Sequence, residues 1–174
     1  MKIYHLTFEH AVDNIKKYGL LRGYLSPIEF YTDLIEYSKI IDIVADILEI
    51  SIGLRRYNVN YAFVFGKFPS QFLTVHEVRN VCLEIDVDPE KVYISDMKTI
   101  TRGFDKYLKN DETYILDIFD YFDKLVSLKM YVENNLLYDN PEVLIPYDVS
   151  PDKINIIDCE ILIEREKIFR VKII

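Results

Sequence analysis

The chain has 174 residues, half of them hydrophobic, with 29 Asp plus Glu against 21 Lys plus Arg. That length fits a single domain over residues 1–174 with a core large enough to need no staples. A net charge of −8 excludes non-specific polyanion binding by the whole surface, so any nucleic-acid contact has to come from a local basic patch.

Cys82 and Cys159 stand in no metal-binding or redox spacing and read as buried thiols of a reducing, cytoplasmic compartment. The opening residues lack the basic stretch and apolar core of a secretory leader, so none is expected. The longest apolar stretch, "IIDIVADILEI" (40–50), is interrupted by Asp42, Asp46 and Glu49. It is too short and too charged to span a bilayer, so no membrane partner is expected.

The first predicted element is a strand over 2–7, "KIYHLT", which puts His5 and Thr7 on one face because strand side chains alternate. Thr7 is placed to cap a helix over 8–18, and Gly19 to end it. "SPIE" (26–29) is a capping box with Pro at the first helical position. It opens a long helix with the stripe Phe30, Leu34, Tyr37, Ile41, Val44 and Leu48, ending near Gly53. "YNVNYAFVFGKFP" (57–69) reads as a strand closed by Gly66 and Pro69. "NVCLEIDV" (80–87) and "KVYISD" (91–96) are two more strands. Helical spacing returns over 103–133, where Ile115, Ile118, Phe119, Phe122 and Leu125 make one face. Strands are predicted from there on, at 141–149, 153–164 and 167–174, with a hairpin at Arg165 and Glu166. Helices early and strands late argue an α+β fold over a doubly wound sheet.

The chain carries neither a Walker loop nor a G-x-G-x-x-G turn. His5, His10 and His76 are too scattered for a zinc site, and "DVDPE" (86–90) lacks the glycine and final glutamate of an EF-hand loop, so no metal is expected. Ser26 and Ser95 sit on no nucleophile elbow. What remains is a dispersed set: His5 and Thr7, the pair Arg55–Arg56, the aromatic strand 61–65 with Tyr61 and Phe63, and Glu142. Singly, each has a plainer reading: a structural histidine, a solvated loop, a glutamate at a strand end. Yet adjacent guanidiniums also hold diphosphates, and a carboxylate at a strand mouth beside a polar loop is a common place for a catalytic acid or base.

Taken in order, these motifs resemble the ADP-ribosyltransferase superfamily. "YHLTFEHAVDNIKKYGLL" (4–21) is similar to its opening strand and helix, where a "YH-x-T…I…GL" pattern lines the NAD pocket. The DarT-type toxins, which ADP-ribosylate bases in DNA, carry an arginine before an aromatic strand "YV-x-FYF-x-P…SP", and "RRYNVNYAFVFGKFPS" (55–70) resembles it. "KVYISD" (91–96) resembles their "VF-T/S-D" piece. "PEVLIPYDVSPDKINII" (141–157) is similar to the "AE-x-LV…IP…I…I" segment that bears the catalytic glutamate. The resemblance implies split antiparallel sheets around an NAD cleft with peripheral helices. It makes Glu142 and an arginine catalytic, Arg56 being favoured over Arg55, and places His5, Thr7, Arg55, Tyr61 and Phe63 against NAD, the co-substrate. Single-stranded DNA or another nucleic acid is the implied acceptor. Ala11 stands where DarT-type chains usually carry asparagine, and Val64 where tyrosine is common, which weighs on the DNA acceptor more than on NAD chemistry. Asn140, two residues before Glu142, differs from the Gln or Glu of the arginine-modifying branch. An NAD-dependent RNA 2′-phosphotransferase and a non-catalytic binding module on the same fold are the alternatives.

Overall fold

The computed structural model describes residues 1–22, 32–51, 54–67 and 81–173. The predicted capping box at 26–29 and the predicted stops at Gly53 and Pro69 lie outside these residues. Two antiparallel sheets organise the chain. The three-stranded sheet runs in the order β1 (Lys2–Thr7), β3 (Val81–Asp86), β7 (Ile154–Asp158). The four-stranded sheet runs β2 (Asn60–Ala62), β6 (Pro141–Ile145), β4 (Tyr93–Asp96), β5 (Val126–Ser127). A bridge between Tyr4 and Phe63, made by both backbone N–H groups at 2.9 and 2.7 Å, joins the first sheet to the second.

Register decides which side chains meet. Ala62, Val143 and Ile94 align across β2, β6 and β4, and all face the other sheet. There they meet Ile3, Leu83 and Ile85 in a core shared by the two sheets. The neighbouring rung, Tyr61, Leu144 and Tyr93, points the opposite way, because strand side chains alternate. It packs under α2 (Thr32–Ile47), α3 (Met97–Tyr107) and α4 (Tyr114–Asp123). A buried leucine such as Leu144 contributes about 1.5–3 kcal/mol by leaving water. On the outer side of the three-stranded sheet, Leu6, Cys82 and Phe63 pack against Cys159 and Leu162 of α6 (Cys159–Ile173). The layers are therefore α6, three-stranded sheet, four-stranded sheet, then α2, α3 and α4.

The α+β class holds, but the predicted run of strands to the end of the chain does not: the last element is a helix. Residues 153–164 were expected as one strand and 167–174 as another. Instead, β7 stops at Asp158, whose side chain accepts a hydrogen bond from Glu160 N at 2.8 Å and starts α6. Leu162, Ile163 and Glu166 are then buried at helical spacing while Ile161 is exposed, so the apolar run in "CEILIE" belongs to a helix face. The helix expected over 8–18 is a 3-10 turn (Glu9–Ala11) followed by α1 (Val12–Tyr18). Phe8, not Thr7, holds the cap position, because Thr7 stays paired with Val81 in the ladder. Among its described residues, 57–67, the strand expected over 57–69 is regular only at Asn60–Ala62. The helical stretch 103–133 divides into α4, β5 and α5 (Leu128–Glu133) after α3. The break follows Asn110, at φ 55°, and Asp111, which accepts from Thr113 N at 3.0 Å.

Cys82 and Cys159, expected as separate thiols, are joined in a disulfide with Cα atoms 5.1 Å apart. β3 and the first turn of α6 bring them together across 77 residues, a proximity that no spacing rule reads from the chain. No helix among the described residues is long and apolar enough to cross a membrane.

Candidate functional site

β6 is buried at every position, which suits a central strand, yet its second residue is Glu142. Alternation turns Glu142 to the same side as Leu144, toward α4, and away from Val143 and Ile145 in the inter-sheet core. Glu142 is 3 % exposed, so the exposed strand-mouth head expected of it is replaced by a buried carboxylate. A carboxylate in that position needs a cation and hydrogen bonds. Both are supplied. Arg56 Nη1 donates to Glu142 Oε2 at 3.0 Å, and the Tyr121 hydroxyl donates to the same oxygen at 3.0 Å. Arg56 Nη1 also lies 3.3 Å from the Tyr121 oxygen, which closes a triangle of three side chains.

Each member is held from behind. Tyr121 sits on α4 and is tied at both ends: its hydroxyl to Glu142, its carbonyl to the Ser95 hydroxyl at 2.5 Å. Ser95 is the strand partner of Glu142, so one rung of the sheet grips one turn of α4 twice. Arg56 opens a 3-10 turn (Arg56–Asn58) between α2 and β2. Its backbone N–H donates to Asp42 of α2 at 3.3 Å, and its carbonyl accepts from the Tyr61 hydroxyl at 2.5 Å. The guanidinium lies 4.9 Å from the Tyr61 ring centre, within cation–π range. Its side chain is 18 % exposed, against 4 % for that of Glu142.

Electrostatics tighten the set. Burial works against the Arg56 charge, but the Glu142 carboxylate and the Tyr61 and Tyr121 rings outweigh it, so the guanidinium is held well above its ordinary pKa. Burial, then the Glu142 charge, pushes Tyr121 well above the ordinary phenol range, and burial pushes Tyr61 in the same direction. Burial also raises Asp42, against the opposing pull of the Arg56 backbone N–H and of both arginines.

The remaining candidates take distinct places. His5 Nδ1 is 2.5 Å from the Tyr61 carbonyl, and because a carbonyl only accepts, Nδ1 carries a proton. His5 thus joins Glu142 through Tyr61 and Arg56, a relay of backbone and side-chain contacts. Thr7 is buried on the His5 face of β1. Phe63 belongs to the α6 side of the molecule with Leu6 and Cys82. Arg55 forms an ion pair with Asp46 of α2, whereas Arg56 pairs with Glu142. The solvated-loop reading of the two arginines fails for Arg56, which the structure places in the buried triangle.

Sequence reading missed Tyr121 and Ser95. The signal for Tyr121 was faint: a hydroxyl-bearing ring three residues after Ile118, inside a helical apolar stripe, must find a partner when buried. Among the described residues no group of three or more His, Cys, Asp or Glu side chains is placed to hold a metal ion. Neither a family model, a curated protein nor a solved structure matches this chain.

Proposed function

We propose that the protein is an NAD-dependent ADP-ribosyltransferase whose acceptor is a nucleic-acid base. The observation that carries this reading is the Arg56–Glu142 ion pair, flanked by Tyr61 and Tyr121 and coupled through Tyr61 to His5. A guanidinium suits a diphosphate, aromatic faces suit a nicotinamide ring, and a carboxylate suits a ribose that gains positive charge. In the transfer, the bond between ribose C1′ and the nicotinamide nitrogen breaks and nicotinamide leaves with the electron pair. The acceptor nitrogen bonds to C1′ and releases its proton. Glu142 would steady the oxocarbenium-like ribose or take that proton, as carboxylates do in glycoside chemistry. For a diphosphate to reach Arg56, the guanidinium must swing part of its hydrogen bonding from Glu142 to phosphate.

One observation favours a second reading, a non-catalytic binding module: Glu142 is 3 % exposed and already paired. Incubation with NAD labelled in the adenylate portion, against separate pools of single-stranded DNA, RNA and protein, separates the two. Label in a nucleic-acid pool with matching nicotinamide release supports the transferase. Saturable NAD binding with neither product supports the binding module, and no binding at all removes both.

A further inference from the structure

We infer that the Cys82–Cys159 disulfide is a redox latch: it holds α6 against the loop that follows the site strand β2, and its reduction loosens that loop. Three observations converge on α6. Its first residue is Cys159, bonded to Cys82 in the middle of the three-stranded sheet. One turn on, Leu162 is buried against Phe63, just beyond β2. A further turn on, Glu166 is fully buried, and its carboxylate accepts a hydrogen bond from Gly66 N at 2.5 Å. The spacing 159, 162, 166 keeps all three on one helix face. That face therefore grips the 63–66 segment through apolar packing and a charge-assisted hydrogen bond, and the disulfide pins its N-terminal end.

The segment so gripped starts directly after Tyr61 and Ala62, the residues that position the Arg56 carbonyl and the β6 register. Gly66, at φ 84°, sits in a left-handed turn whose N–H points to Glu166. Along the same helix Ile161 and Ile168 face solvent. An open cleft of about 570 Å³ lined by Val81, Ile156, Ile157, Cys159 and Glu160 brings solvent to the helix start, so the bond is approached from the Cys159 side. A thiolate of an external dithiol attacks Cys159 Sγ, and Cys82 leaves as a thiolate and takes up a proton. The second thiol of the reductant then resolves the mixed disulfide. Two electrons and two protons pass to the protein, which gains two thiols, while the dithiol becomes a cyclic disulfide. The latch is independent of the reaction proposed above, and only its effect on NAD binding rests on that reading.

Hydrogen exchange with mass spectrometry on the full chain, without NAD, tests the latch. The oxidised protein is compared with protein reduced by dithiothreitol and with the Cys82→Ser, Cys159→Ser double variant. Reduction should speed exchange at least tenfold in α6 and at 63–67, and leave β4 and β6 unchanged. Glu166→Gln in the oxidised protein should speed exchange at 63–67 but not at the start of α6. Equal exchange in oxidised and reduced protein would overturn the proposal, as would uniform loss of protection across both sheets, which marks a global staple. Alkylation of both cysteines without reductant would overturn it as well, since no bond would then be present. Because none of these readouts involves NAD, they stand or fall apart from the transferase assay.

Discussion

Arg56 and Glu142 meet at 3.0 Å although 86 residues separate them, and the Tyr121 hydroxyl reaches the same carboxylate oxygen at the same distance. The pair does two things in the fold. It neutralises a carboxylate in the centre of a four-stranded sheet, and it anchors the 3-10 turn that leads into β2.

That dual role makes the pair a unit. Removing one member leaves the other charge buried without its partner, a loss of about 3–5 kcal/mol, while replacing both with apolar residues of similar size is often close to neutral. Arg56→Met and Glu142→Leu should each lower stability by that amount, and the double variant should lose far less than their sum. Urea unfolding of all three gives the coupling. If the single losses simply add, the contact at 3.0 Å carries no coupling energy.

The same competition sets an expectation for ligand binding. Glu142→Gln removes the anion that holds Arg56, so the guanidinium becomes more available to a diphosphate. The variant should bind NAD at least as tightly as the parent, and NAD should still raise its thermal midpoint. A ligand that binds only the native state stabilises by about 2.7 kcal/mol at roughly a hundredfold excess over its dissociation constant. Transfer to single-stranded DNA should fall on the order of 10²-fold or more, because the negative charge near the ribose is gone. A Gln variant with parental turnover would dismiss Glu142 as the catalytic carboxylate. Arg56→Ala should lose the NAD-induced shift, whereas Arg55→Ala should keep it, since Arg55 is engaged with Asp46 on α2.

Alkaline pH gives a test of the buried phenols. Tyr37, Tyr61 and Tyr121 are all raised above the usual tyrosine pKa, chiefly by burial. In the unfolded chain they ionise near pH ~10. Between that value and their folded pKa the native state binds more protons than the unfolded state, so stability falls as pH rises. Below pH ~10 their contribution is fully present. Each such tyrosine should remove about 1.4 kcal/mol per pH unit in that window. Tyrosinate absorbance should therefore rise in two stages, exposed rings first, and the second stage should coincide with loss of far-UV dichroism. Full ionisation of all tyrosines in a still-folded protein would contradict the burial of this set. Tyr121→Phe should steepen nothing at alkaline pH but should weaken the Glu142 site at neutral pH, because the ring stays and the hydroxyl does not.

Much of the sheet framework was legible. "VCLEID" and "YISD" are strands because β-branched and aromatic residues cluster there, and "PEVLI" is one because Val143, Leu144 and Ile145 form a short apolar run behind Glu142. Segment 159–173 was not, because "CEILIE" carries a short β-branched apolar run of strand length while its burial follows helical spacing. The site was half legible. Arg56 and Glu142 stood out as residue types, but the burial of Glu142 was hidden. Its cation comes from a turn 86 residues earlier and its second partner from a helix stripe that reads as core. Cys82 and Cys159 failed for the same reason, since tertiary proximity across 77 residues leaves no local trace.

Gly19 offers a test of how the first helix is fixed to the sheets. Its N–H donates to Ile15 O at 2.8 Å, ending α1, and the next residue, Leu20, exchanges two backbone hydrogen bonds with Val149, each of 2.9 Å. The turn between them needs φ 81° and ψ −169° at Gly19, a region that side chains other than hydrogen scarcely enter. It also brings the Val149 carbonyl oxygen to 2.0 Å from where a Cβ would lie. Gly19→Ala therefore cannot keep both the turn and the Leu20–Val149 bridge. Backbone strain of about 1–3 kcal/mol adds to the loss of the bridge. The variant should lose about 2 kcal/mol or more in denaturant unfolding, with faster exchange at Leu20 and Val149 and little change in α3 or α4. A loss of about half a kcal/mol or less, the level of an ordinary surface substitution, would mean that α1 can dock without this contact.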